Sequence, residues 1–181
     1  ASWNVLAPNY AMAKSFPDVD PAWLSSKTRK PRLRQVLEAL AADVVCLQEV
    51  QHPDEWQALL GEMGYEFAFA ARPSRQDGCA IAWRRDRLRI VDQFVVDFDG
   101  AIPASAQHSV QSRFARRNVA LVVELVLPSL PADLESSKAS RLVVATTHLY
   151  WGKEHEDVRA WQLQVLTEAM RSRLESKGLA P

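Results

Sequence analysis

Apolar residues in this chain fall into runs of strand length, and several runs follow one another with no helix between them. That spacing constrains the fold more than any other feature. "SWNVL" (2–6), "DVVCLQ" (43–48), "YEFAFA" (65–70), "GCAIAWR" (78–84), "LRIVDQFVVDF" (88–98), "NVALVVELVL" (118–127) and "RLVVATTHL" (141–149) read as strands. Helical spacing is confined to "LRQVLEAL" (33–40), "DEWQALLGEMG" (54–64) and the stretch 156–176. Strands that are neighbours in sequence pair most simply as antiparallel partners, so the reading is an α/β class of fold with mainly antiparallel strands and helices packed outside. The "RDR" between the strands at 78–84 and 88–98 reads as a hairpin connection. "PSLPADLESSKAS" (128–140) reads as an exposed loop. No linker or repeat divides the 181 residues, which are read as one domain, 1–181.

Charge narrows the function little. Lys plus Arg and Asp plus Glu number 22 each, so a net-charge argument for a polyanionic partner fails. Three segments are locally basic: "RKPRLR" (29–34), "WRRDRLR" (83–89) and "RFARR" (113–117). They are read as solvated faces. No apolar run reaches 18 residues, so no membrane span is expected. Cys46 and Cys79 sit in apolar runs, as reduced buried thiols do, and no signal-peptide pattern opens the chain. A cytoplasmic or nuclear location is the expectation. The chain begins at Ala1, inside a strand-like stretch, which implies that it was cut from something longer.

Three polar residues stand at strand ends. Asn4 lies within "SWNVLAP", Glu49 closes "ADVVCLQEV" and His148 closes "VVATTHLYW". A carboxylate behind a buried apolar run needs a partner, because an unpaired buried charge is costly. Mg²⁺ is one such partner and a basic side chain is another. Asn4 could orient Glu49 or serve only as a turn residue. His148 could donate to a phosphate oxygen as charge builds up, or be a structural strand-end residue.

Taken in order, these stretches resemble the endonuclease/exonuclease/phosphatase superfamily, on the branch of the carbon catabolite repressor-type deadenylases, Angel proteins, nocturnin and the 2′-phosphodiesterases. The resemblance rests on "SWNVLAPNYA" (2–11), "ADVVCLQEV" (42–50), "DGCAIAWRRDRL" (77–88), "RRNVALVVEL" (116–125), "VVATTHLYW" (143–151) and "EDVRAWQ" (156–162). It implies the N-terminal half of a four-layer α/β/β/α sandwich. It implies a metal-dependent phosphodiesterase, most simply a 3′-exoribonuclease acting on poly(A) or related RNA. Glu49 would then ligate Mg²⁺ or Mn²⁺, Asn4 would lie beside the metal and the scissile phosphate, and His148 would contact that phosphate. Tyr150 and Trp151 fit the aromatic tail of the family motif, and Trp151 is expected to pack on the helix that follows.

The departures weigh as much as the matches. The family's Gly-Asp-Phe-Asn and Ser-Asp-His motifs are absent, and none of His52, His108, His148 and His155 follows Ser-Asp. The family's Asn-Thr-His reads Thr146-Thr147-His148, and the Pro expected after the Trp is replaced by Gly152-Lys153. The chain therefore holds about half of the family's active site. A half domain is expected to supply mainly one sheet, to bare that sheet's inner face and to self-associate. Two other readings stay open: a relative hydrolysing a 2′-phosphate or a 2′,5′-linked nucleotide, and a non-catalytic truncated module.

Overall fold

The computed structural model describes residues 1–127 and 141–179. The loop expected at 128–140 lies outside the described residues. Among the described residues, seven strands form two sheets. The first contains β1 (Ser2–Asn4), β2 (Val44–Gln51), β3 (Tyr65–Ala71) and β4 (Asp77–Arg84), in the order β1-β2-β4-β3. Only β1 and β2 are parallel; β4 is antiparallel to both of its neighbours. The second sheet contains β5 (Arg89–Asp97), β6 (Val119–Val126) and β7 (Arg141–Thr147), antiparallel and in sequence order. The α/β class with mostly antiparallel strands is thus the observed architecture.

The expected hairpin across "RDR" does not form, because β4 and β5 belong to different sheets. The reason is legible in burial. β4 is buried at every position from Asp77 to Trp83, with apolar neighbours on both faces, whereas β5 alternates and shows one face to solvent. A doubly covered strand sits inside the stack and needs a partner on each side. β4 takes β2 and β3, and the chain turns a corner at Arg85–Arg87 into the second sheet. The true hairpin is β3–β4, with Ala71 opposite Gly78 at its tip.

Nor does one sheet dominate. Ala68, Ala70, Ile81 and Trp83 of the first sheet share a buried cluster with Val119, Leu121, Val123 and Leu125 of the second. The inner face that was expected to lie bare is therefore covered by the chain's own second sheet, which removes the basis for expecting self-association through it. On the outer face of the first sheet, helices α2 (Ser26–Leu40) and α3 (Pro53–Glu62) bury Leu37, Trp56 and Leu60 against Val45, Leu47, Val50, Ala80 and Ala82. On the outer face of the second, α5 (Glu156–Ser176) brings Trp161, Val165 and Leu166 onto Val96, Phe98, Ala120 and Val122.

Helix α2 starts earlier than its periodicity predicts. Pro31 in its second turn lacks the N–H that would complete the ladder, which is why 26–32 does not read as helix. Ser25 compensates by accepting from the Thr28 N–H at 3.3 Å. Two short helices, α1 (Pro21–Leu24) and α4 (His108–Phe114), carry no buried residue, so no apolar stripe announces them. No helix among the described residues is long and apolar enough to cross a membrane.

Candidate active site

Glu49 sits where β2 breaks register. Gln48 pairs with Cys79 and Val50 with the next residue along β4, Gly78, so Glu49 is an extra residue bulged out between them. Its φ of 59° is left-handed, a conformation uncommon outside glycine, asparagine and aspartate. The bulge turns the carboxylate toward β1 at the sheet edge, and Glu49 remains only 9% exposed.

Both carboxylate oxygens are held. Asn4 Nδ2 donates to Oε1 at 2.8 Å, and the Ala7 N–H donates to Oε2 at 3.1 Å. Asn4 is also a turn residue, since its Oδ1 accepts from the Leu6 N–H at 2.9 Å. The loop after β1 reaches this geometry through Leu6, itself left-handed at a φ of 55°. Arg29, from α2, fixes that loop by donating from Nη2 to the carbonyls of Val5 and Leu6, the latter at 2.7 Å. Burial pulls the Arg29 guanidinium below its ordinary range, and the nearby Glu49 charge opposes that pull. Arg29 was grouped with a solvated basic face from sequence. Its local signal was nil, because its role depends on a loop 23 residues away. Farther along the loop, Asn9 N–H donates to Gln51 Oε1 at 3.2 Å and Tyr10 OH to Asp77 Oδ1 at 3.1 Å.

His148 follows the last residue of β7 on the second sheet, and its Nδ1 lies 3.8 Å from Glu49 Oε1. The structure therefore brings Asn4, Glu49 and His148 together from three elements and both sheets. Between the sheets, Gln48 Nε2 donates to Thr146 Oγ1 at 2.9 Å, and within its own sheet it lies 3.2 Å from Ser2 Oγ as a second acceptor. Thr146, at the position where the resemblance expects Asn, thus joins the two sheets directly beneath the site. His148 is oriented by its own backbone: its carbonyl accepts from Asn118 Nδ2 at 2.7 Å. Asn118 Oδ1 in turn accepts from Gln162 Nε2 at 3.2 Å, and Gln162 Oε1 accepts from the Tyr150 N–H at 3.1 Å. Asn118 and Gln162 are buried at 3% and 0% exposure, so their pairing is what makes their burial tolerable.

Beyond His148 the chain is clamped. Arg159 Nη1 donates to the carbonyls of Tyr150 at 3.3 Å and Gly152 at 2.6 Å. Arg116 lies 4.6 Å over the Tyr150 ring, and His155 meets that ring edge-on at 4.9 Å. Trp151 departs from its expected packing on the following helix: it is 81% exposed. Helix α5 has filled its own face with Trp161, Val165 and Leu166, which leaves Trp151 nothing to cover.

The donor chemistry fits a divalent cation in part. Among the described residues, no group of three or more His, Cys, Asp or Glu side chains is placed to hold a metal ion. Mg²⁺, however, is commonly bound through one or two carboxylates, with water and substrate phosphate completing its shell. Glu49 uses one lone pair on each oxygen for Asn4 and Ala7, leaving further lone pairs free. It can serve as one ligand of such a site.

Three comparisons bear on this arrangement. The model of the endonuclease/exonuclease/phosphatase family matches residues 1–176. The chain is 32% identical to carbon catabolite repressor protein 4 homolog 1 of Arabidopsis thaliana, over 93% of this chain and 31% of that protein. It is 29% identical to RNA exonuclease NGL2 of Saccharomyces cerevisiae, over 94% of this chain and 33% of that protein. Among solved structures, ANGEL2, a 2′,3′-cyclic phosphatase crystallised with adenosine-2′,3′-vanadate, superposes with a TM-score of 0.78 at 27% identity, covering 96% of this chain and 47% of that one. The chain spans about a third of the length of these curated relatives.

Proposed function

Because the chain belongs to the endonuclease/exonuclease/phosphatase family, we propose that it supplies half of a metal-dependent phosphodiesterase site acting on RNA, most simply the 3′ end of poly(A) or related RNA. One observation carries this reading. A buried carboxylate on a strand bulge is held by Asn4 and the Ala7 N–H, and faces His148 across the two sheets. Names of relatives support the substrate class: one is an RNA exonuclease and others are 3′-5′-exoribonuclease subunits.

In this mechanism Glu49 would hold the metal, and Asn4 and the Ala7 N–H keep its carboxylate in one orientation so that little is reorganised during reaction. A bound divalent cation would polarise the phosphoryl group and lower the pKa of a water. His148 donates a hydrogen bond to a phosphate oxygen, where negative charge grows in the transition state. Its half-exposed ring, 31% accessible, is open to such a ligand.

The similarity to ANGEL2 favours a second reading, hydrolysis of a 2′,3′-cyclic phosphate. The test is an assay of the full-length polypeptide with Mg²⁺ or Mn²⁺ on 3′-labelled oligoadenylate, a 2′,5′-linked oligoadenylate and adenosine 2′,3′-cyclic phosphate. Cleavage of the first is expected, with losses of at least about 100-fold in Glu49→Ala and His148→Ala. No metal-dependent turnover of any of the three, or full activity in both variants, would overturn the reading. Turnover of the cyclic phosphate alone would select the second.

A further inference from the structure

We propose that Gln48 and Thr146 are positioning residues that set the gap between Glu49 and His148, an inference that rests on the phosphodiesterase reading above. The observation is a second row of side chains behind the first. Ser2 precedes Asn4 by two residues on β1, Gln48 precedes Glu49 by one on β2, and Thr146 precedes His148 by two near the end of β7. One amide spans this row: Gln48 Nε2 lies 2.9 Å from Thr146 Oγ1 and 3.2 Å from Ser2 Oγ. The bond to Thr146 crosses from one sheet to the other, and Thr146 is buried where it receives it. The contact to Ser2 stays within the first sheet and steadies the amide from its other side.

Glu49 and His148 come from different sheets, so their separation depends on how the sheets sit against each other. The buried cluster between the sheets is apolar: Ala68, Ala70, Ile81 and Trp83 meet Val119, Leu121, Val123 and Leu125. Such contact draws two sheets together but has no preferred direction, so it resists sliding weakly. A hydrogen bond does have direction, and it holds its heavy atoms to within about 0.3 Å. Two strand residues span about 7 Å, so the Gln48–Thr146 bond acts close to His148 and one residue from Glu49. Cys79, opposite Gln48 on β4, is wholly buried behind the row. Burial pushes its thiol up to about 12, partly opposed by the His148 backbone, so Cys79 is a neutral neighbour there and no nucleophile. A misplacement of about 1 Å between reacting groups can cost about 100-fold in rate. Loss of the bond therefore acts on turnover, while the groups that hold RNA in the ground state are untouched.

The experiment uses three variants of the full-length polypeptide. Thr146→Val keeps the side chain's shape and removes the acceptor, Thr146→Ser keeps the hydroxyl, and Gln48→Met removes the donor. Crystal structures of each, grown in chelator, give the separation of His148 Nδ1 from Glu49 Oε1, which is 3.8 Å in the wild type. It should lengthen by about 1 Å in Thr146→Val and in Gln48→Met, and hold in Thr146→Ser. On oligoadenylate with Mg²⁺, kcat should fall about 10- to 100-fold in the first two, with KM changed less than about threefold. Thr146→Ser should keep kcat within about threefold, and the double variant should lose no more than the worse single one. Should Thr146→Val fail to fold, Gln48→Met carries the same test from the other sheet. An unchanged separation overturns the inference, as does a rise in KM at constant kcat. Additive losses in the double variant also overturn it, by giving the two residues independent roles. If the wild type turns over no phosphodiester, the phosphodiesterase reading fails, and the separations alone decide whether the row sets the gap. If the wild type is active and the variants match it in separation and kcat, the row fails and that reading stands.

Discussion

Asn4 acts on Glu49 directly and Arg29 through the loop after β1, and single substitutions separate their roles. Asn4→Ala removes the donor to Oε1 and leaves the backbone donor at Oε2 intact. Metal affinity, read by Mg²⁺ titration of activity, should fall about 10- to 100-fold, and unfolding free energy should fall by about 1–2 kcal/mol because the Leu6 N–H also loses its acceptor. Arg29→Met instead orphans the Val5 and Leu6 carbonyls. It should destabilise the fold by about 1–3 kcal/mol in urea unfolding, with Arg29→Lys recovering part of the loss. Unchanged stability in Arg29→Met would show that the loop after β1 holds itself. At this scale the sequence was informative about Glu49, because a carboxylate behind "VVCLQ" has few tolerable fates. It was silent about Arg29, whose partners are backbone carbonyls and leave no mark in residue type. Asn4 proved to be turn residue and orienting donor at once, so the two readings were not alternatives.

At the scale of elements, the second sheet delivers His148 through a relay of amides from α5 to β6 to the end of β7. Gln162→Leu would leave the half-buried Tyr150 N–H and the buried Asn118 Oδ1 without partners. A loss of about 2 kcal/mol or more is expected in chemical denaturation. A variant as stable as wild type would mean that the relay is dispensable. "EDVRAWQ" was recognisable as a motif, yet its residues divide by purpose only in the structure. Asp157 pairs with Arg113 at 2.6 Å, Arg159 clamps the chain around Trp151 and Gln162 orients Asn118. The misread β4–β5 connection has the same origin. "RDR" has the length of a hairpin loop, but which sheet a strand joins is decided by what covers its two faces, and that depends on partners far along the chain.

For the whole molecule, the site occupies one end of the two-sheet stack, and a charge cluster fastens the other. Asp92 and Glu124 meet Lys177 at 2.6 and 2.5 Å, Arg173 joins Asp92 at 2.9 Å, and Arg141 pairs with Glu124. The Lys177 and Arg173 contacts hold the Asp92 carboxyl below its ordinary range. For Glu124, burial pushes upward, but the Lys177 and Arg141 bonds outweigh it and the net direction is also down. Both carboxyls release protons more readily folded than unfolded. Their stabilisation is thus present above the unfolded values of 3.8 and 4.5, and is lost as pH falls through the lower folded ones. Urea midpoints should drop on acidification below about pH 4.5, less steeply in Glu124→Gln. Parallel curves for the variant and wild type would remove Glu124 from the account.

The bulge at Glu49 has a consequence for engineering. Because Gln48 and Val50 already face consecutive residues of β4, excising Glu49 would splice β2 into an unbroken strand with every remaining side chain on its present face. The shortened chain should still fold, losing about 1–3 kcal/mol because the buried Ala7 N–H has no acceptor, and should show no metal response, as measured by urea unfolding with and without Mg²⁺. The reactive group would then be an insert in a scaffold complete without it, and the scaffold could be emptied or refitted by adding or removing a single residue.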